Sequence, residues 1–305
     1  MSETQTQTWT TRKLLAWMQQ AFHKAGLDAP RLLAEMLLAH VVGCERLKLY
    51  TDFDRPASPL ERDILRDLAS RALKHEPVQY LVGEAWFFGL PFKVDPRVLI
   101  PRPATESIVE EVLQHARAAH AAGGASLLIA DICTGSGCIG IVLLKRLAQA
   151  RVIAADVCEG ALALARENAM RHDVLDRIDF LQGDLLTPLR EHPPTRGPAC
   201  LDYLVSNPPY IPDDEWDAVA PNVKNHEPHG ALRGGVDGLD FVRRLIDEGA
   251  STLLRPGGLL LIEVADSRAA IARDLIAADP HLEAARIVRD FEGLDRVIVA
   301  QRRNT

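Results

Sequence analysis

Apolar residues recur at three- and four-residue spacing through "TRKLLAWMQQAFHKAG" (11–26) and "APRLLAEMLLAHVVG" (29–43), and each run closes at a glycine. This is the pattern of amphipathic helices with a C-terminal stop. A third helix is expected from "SPLE", where Ser58 caps, Pro59 suits the first turn and Glu61 completes a capping box, continuing through Ile64, Leu65, Leu68 and Leu73. Together they predict a small helical bundle. The register then changes. "VGEAWFFGLPFKVDPRVLIP" mixes aromatic and β-branched residues with Gly89, Pro91, Asp95 and Pro96, which predicts a hairpin joining two domains. From about residue 125 short apolar runs alternate with helical segments: "SLLIADI", "RVIAAD", "IDFLQG", "LDYLVS" and "GLLLIEV" read as strands, and "EGALALARENAMRHD" as a helix between two of them. Alternation of this kind predicts a parallel sheet with right-handed crossovers. The last two runs, "EAARIVRD" and "DRVIVAQR", flank the short "FEGL" and read as an antiparallel pair finishing a seven-stranded α/β sheet. The expected domains are a helical bundle over 1–82, a hairpin linker over 83–100 and an α/β domain over 101–305.

Composition narrows the classes of function. The 305 residues are 47% hydrophobic and 25% charged, enough for a real core and ordinary for a soluble globular chain. A formal net charge of -7 and a pI near 5.8 argue against a broad basic footprint for nucleic acid, so a protein or small-molecule substrate is favoured. The five cysteines, Cys44, Cys133, Cys138, Cys158 and Cys200, are scattered and form no CxxC pair. Neither a disulfide framework nor a metal site is expected, and a reducing cytoplasm fits. The N-terminal "MSETQTQTWTTRK" carries no apolar core of a signal peptide and reads as a short disordered tail; no apolar run is long enough to span a bilayer.

The chemistry sits at the ends of the predicted strands. "DICTGSGCIG" follows the first, with Asp131 at the carboxyl end and Gly135 and Gly137 where the backbone turns into a helix. Glycines let main-chain N–H groups approach a ligand, and the start of the helix is electropositive. About 20 residues beyond that turn, Asp156 closes the second strand, where a carboxylate accepts both hydroxyls of a ribose. Asp184, in "QGD" after the third, can accept from an adenine amino group. Neither the dinucleotide pattern GxGxxG nor a triphosphate loop ending in Lys-Ser/Thr is present. An adenosine ligand without phosphate fits better, which points to S-adenosylmethionine, its adenosine on Asp156 and Asp184 and its amine near Asp131.

"SNPPYIP" ends the fourth strand. In a doubly wound sheet strands one and four are neighbours, and ligands settle beyond their carboxyl ends. The prolines fix φ near -65° and have no N–H, so carbonyl oxygens are the main-chain polar groups they leave there. Asn207 Oδ1 and the Pro208 carbonyl then each accept one hydrogen of a planar NH2 group, with Pro209 stiffening the turn and the face of Tyr210 against that plane. A glutamine-type amide or an exocyclic base amine both fit such a socket.

Beyond these motifs the chain resembles the glutamine methyltransferases of the HemK or PrmC type, which act on peptide-chain release factors. The resemblance rests on "EPVQYLVGEAWFFGLPFKVDPRVLIPRPATE" (76–106), "NHEPHGALRGGVDGLDFVRRLI" (225–246) and "RPGGLLLIEV" (255–264) as well as "NPPY". It implies a class I methyltransferase domain, Rossmann-like with an antiparallel last strand, behind an N-terminal helical substrate-recognition domain. It also implies donor contacts from Cys133, Thr134, Gly135, Ser136, Gly137, Asp156, Asp184, Leu185 and Asn207. Asn207 to Tyr210 would hold the glutamine, and Arg102 and Glu106 remain from the family's "PRP.TE". The implied reaction methylates the glutamine of the release factor's Gly-Gly-Gln motif, with no direct nucleic-acid partner. A ribosomal-protein glutamine, an adenine amino group on DNA or RNA, and a non-catalytic donor sensor are the competing readings. Two positions depart from the family: Cys133 stands where its D-x-G-x-G-x-G loop has the first glycine, and Ala104 where an acid is usual.

Overall fold

The computed structural model describes residues 8–119 and 126–304. The predicted tail falls mainly on residues 1–7, outside the described residues. Two compact units emerge: one holds the described residues up to Gly83 together with Ala220–His226, and the other runs over Glu84–Val219 and onward from Glu227.

The first unit is built on helices Thr11–Lys24, Pro30–Val42 and Pro59–Ala72. Leu14, Met18 and Phe22 recur every four residues and pack with Leu37, Leu38, Leu65 and Ala72 in one core. Each such large apolar side chain contributes about 1.5–3 kcal/mol on burial. The capping box is present, with Ser58 Oγ accepting from Glu61 N–H at 3.2 Å and Glu61 Oε2 from Ser58 N–H at 2.7 Å. Ile64 falls outside the stripe formed by Leu65, Leu68, Ala69 and Ala72 and is 42% exposed.

In the second unit, β1 (Glu84–Phe87) and β2 (Leu90–Lys93) form an antiparallel hairpin. The main sheet contains β3 (Leu127–Ile132), β4 (Ala150–Asp156), β5 (Ile178–Gln182), β6 (Leu201–Ser206), β7 (Leu254–Glu263), β8 (Leu282–Arg289) and β9 (Asp295–Arg302). Its order is β5-β4-β3-β6-β7-β9-β8, with β9 antiparallel to both neighbours. Alternate side chains enter opposite cores, as the period of two requires: Leu127 and Ile129 of β3 face one, and Ala130 and Ile132 the other. Strands buried on both faces explain why the sequence shows continuous apolar runs here. A helix over Glu106–Ala119 precedes β3, in a stretch to which the sequence pattern assigned no element.

The hairpin is tied to the loop after β3 by one side chain. Asn168, fully buried on helix Glu159–Arg171, accepts from Lys93 N–H at 2.8 Å and donates to Lys93 O at 3.1 Å and Ser136 O at 2.9 Å. A buried amide satisfied this way fixes the loop against a rigid element.

Candidate active site

β3 and β6 lie side by side, so the chain reverses its winding between them and leaves a crevice beyond their carboxyl ends. A cavity of about 410 Å³ opens there. Its wall takes Cys133, Thr134, Gly135 and Ser136 from the end of β3, Asp156 from β4, Gly183, Asp184 and Leu185 from beyond β5, and Asn207 and Pro209 from beyond β6. Four successive strand ends therefore converge on one volume.

The β3 loop alternates in handedness: Cys133, Gly135 and Gly137 have φ of 60°, 54° and 79°. The first family glycine is thus needed for backbone conformation, and Cys133 adopts the left-handed geometry at a cost of about 1–2 kcal/mol. Gly137, N-cap of helix Cys138–Arg146, also has no room: a Cβ would stand 3.0 Å from Ile141 Cδ1 and 3.2 Å from Ala165 Cβ. Asp156 braces the loop, accepting from Gly135 N–H at 2.9 Å through Oδ2 and from Cys158 N–H at 2.9 Å through Oδ1. Burial raises its pKa, while the N–H groups of Cys158, Gly135 and Val157 lower it. With two oxygens carrying about four acceptor sites, one backbone bond on each leaves capacity for two ribose hydroxyls.

Asp131 is fully buried beneath this loop and is not on the cavity wall. Its Oδ2 accepts from Thr134 Oγ1 at 2.7 Å and Gly140 N–H at 3.1 Å, and its Oδ1 is buried with no protein partner. Burial pushes its carboxyl up to about 7, against those two donors. Asp184 does line the cavity and pairs with Arg244 at 2.8 Å. Leu185, also on the wall, is left-handed at φ 46°.

Asn207 presents the feature that bears most on the chemistry. Its Nδ2 donates to Thr105 Oγ1 at 3.0 Å, whereas its Oδ1 is buried without a partner. An unsatisfied buried acceptor costs about 1–3 kcal/mol unless something donates to it. Pro208 is buried behind the wall, and Tyr210 lies off it with its hydroxyl donating to Glu263 Oε1 at 3.1 Å. The loop is clamped from outside: Ile211 N–H donates to Leu232 O, and Gly234 N–H to Ile211 O, each at 2.9 Å. Arg102 is on the wall, its guanidinium paired with the buried carboxylate of Glu227, which also accepts from Ile100 N–H at 3.1 Å. Glu106 is elsewhere, accepting from Phe88 N–H at 2.6 Å at the hairpin tip.

The structure adds wall residues that motif reading missed: Arg97 to Leu99, Val157, Thr105, and Phe241 with Arg244 from helix Asp240–Asp247. Arg97, Thr105, Phe241 and Arg244 all lie inside runs already conspicuous for their resemblance, but no local spacing marked them as lining. On the cavity wall, the orphaned Oδ1 of Asn207 and the Asp156 carboxylate suit a ligand combining a ribose and a reacting centre.

This sheet order, with an antiparallel last strand and a crevice beyond β3 and β6, is the architecture of class I methyltransferases. The hMettl16 catalytic domain in complex with a MAT2A 3'UTR hairpin superposes at a TM-score of 0.54 and 16% identity, covering 80% of this chain and 81% of that one. The delta-N METTL16 methyltransferase domain gives 0.51 and 19%, covering 72% and 90%. At these identities the likeness is one of fold. Residues 13–83 match the PrmC N-terminal domain family and 104–225 the methyltransferase small domain family. Release factor glutamine methyltransferases of Geobacter sulfurreducens and Chlorobaculum tepidum are each 41% identical, over 95% and 94% of this chain and 96% of their own lengths. The human MTRF1L release factor glutamine methyltransferase is 34% identical over 95% of this chain and 87% of its own. The chain belongs to the release factor glutamine methyltransferase family.

Proposed function

We propose that this protein transfers a methyl group from S-adenosylmethionine to the side-chain amide nitrogen of the glutamine in the Gly-Gly-Gln motif of peptide-chain release factors. The observation that carries the reading is Asn207 Oδ1, a buried acceptor lacking a donor at the wall of a cavity that can hold the methyl donor. A glutamine NH2 supplies that donor, whereas Pro208 is buried and outside the cavity lining. The loop Cys133 to Gly137, with Asp156, Asp184 and Leu185, holds the adenosyl group and its methionine end. When bound, S-adenosylmethionine supplies a methyl activated by its sulfonium. Asn207 would aim the amide nitrogen at that carbon, so that an N–CH3 bond could replace the S–CH3 bond and the displaced N–H proton could leave to solvent. Alignment at about 3–3.5 Å is the main contribution asked of the protein. Among the described residues no helix is long and apolar enough to cross a membrane, and the partner implied is a protein of the translating cytoplasm, with no direct nucleic-acid contact required.

The test is mass spectrometry of the Gly-Gly-Gln peptide recovered from a release factor after incubation with labelled donor. One methyl on that glutamine is expected, with Asn207→Ala reducing transfer by about 100-fold or more while donor binding persists. Label appearing on nucleic acid with none on the release factor overturns the reading.

A further inference from the structure

The run "GLDFVRRLI" (238–246) contains helix Asp240–Asp247, and one face of that helix meets the cavity: Phe241 and Arg244, three residues apart, both stand on its wall. Arg244 Nη2 carries two hydrogens and directs both to carboxylates, donating to Asp184 Oδ2 at 2.8 Å and to Glu248 Oε1 at 3.0 Å. Glu248, which closes the helix, accepts in turn from Leu186 N–H at 3.2 Å through Oε2. The turn Asp184-Leu185-Leu186 is therefore tied to the helix at both ends, by a side chain at 184 and a backbone amide at 186. Between the ties Leu185 is left-handed at φ 46° and 4% exposed, in the core that includes Val242 and Leu245. A non-glycine residue persists in that conformation where its surroundings hold it. With Oδ2 anchored on Arg244, Asp184 Oδ1 takes no hydrogen bond among the described residues and is an acceptor left to the cavity.

We propose that Arg244 is a positioning residue which aims Asp184 Oδ1 at the exocyclic amine of the donor's adenine, so that helix Asp240–Asp247 gives the site its preference for an adenosyl group. The inference rests on the donor reading above, in which Asp184 meets the adenosyl group, and deepens it. With side chains 41% and 55% exposed, the Arg244–Asp184 pair adds little stability, and its contribution is direction. A carboxylate on an untethered turn loses rotamer freedom when a ligand arrives; one oxygen already held by a fixed donor lowers that cost and sets where the other oxygen points.

The test is equilibrium binding, by calorimetry on the full-length protein, of S-adenosylhomocysteine and of its deamino analogue, in which hydrogen replaces the adenine amine. The unsubstituted protein should bind the adenine compound at least about tenfold more tightly, the scale of one hydrogen bond to a charged group. Asp184→Ala removes the acceptor and should bring the ratio of the two dissociation constants close to one. Arg244→Met keeps the apolar stem and removes the fork. It should lower the ratio at least about threefold through weaker binding of the adenine compound, with affinity for the deamino compound changing less than about twofold. A merely structural role weakens both ligands in parallel and leaves the ratio as it was. An unchanged ratio in Arg244→Met beside a collapsed one in Asp184→Ala overturns the proposal. An unchanged ratio in Asp184→Ala, or no binding of S-adenosylhomocysteine to the unsubstituted protein, overturns instead the donor reading on which it rests.

Discussion

Residues at this site owe their properties to what surrounds them. Asp131 and Asp156 are both strand-end acids in sequence, yet Asp156 stands on the cavity wall and Asp131 is sealed beneath it. Burial raises the pKa of Asp131 to about 7 from an ordinary value near 4. An acid with a raised folded-state pKa favours the fold while protonated, so its contribution declines as pH climbs from about 4 to about 7 and is level above that. Asp131→Asn does not titrate. Its stability relative to the unsubstituted, donor-free protein should therefore improve by a few kcal/mol across that window, as followed by denaturant unfolding at a series of pH values. A constant difference would place the Asp131 pKa outside the window. Cys133 shows the complementary case, a side chain where the family has glycine: its φ of 60° keeps the turn, so the departure alters the wall and spares the backbone path.

Elements matter here chiefly as clamps. The "RGGVDG" run packs so closely on the "NPPY" loop that a Cβ on Gly234 would lie 2.7 Å from Tyr210 Cα, and one on Gly238 2.5 Å from Tyr210 O. Gly238 also has φ of 77°. Gly238→Ala should thus cost about 1–3 kcal/mol of stability from overpacking, and it should lower kcat more than donor affinity, because the displaced backbone carries Asn207. Equal loss of both would show a general collapse of the site. Periodicity marked most of these elements correctly. It passed over helix Glu106–Ala119 and the support given by Asn168, because a buried amide on a helix is indistinguishable in sequence from a solvated one.

For the whole molecule, the question is how a site for one amide chooses its protein. Binding energy remote from the reacting nitrogen can raise turnover of an intact partner over that of a fragment. The intact release factor is expected to show a kcat/KM at least about 100-fold above a free Gly-Gly-Gln peptide under steady-state conditions. Parity between the two would leave the helical unit with no part in recognition. A net charge of -7 argues against a broad basic surface as the means of that recognition.

The sequence by itself determined the strands, the helical bundle, the capping box, the antiparallel finish and the strand-end motifs, because periodicity and turn chemistry are local properties. It also placed Asp156 and Asn207 at the crevice, since a doubly wound sheet leaves one such place. Only the tertiary structure decided that Asp131 and Tyr210 lie off the wall, that Glu106 serves the hairpin, that Asn207 donates to Thr105 and that Tyr210 donates to Glu263. Those facts are burial and hydrogen-bond direction between residues as far apart as Thr105 and Asn207. They exist only once β6, β7 and the segment before helix Glu106–Ala119 have been brought together.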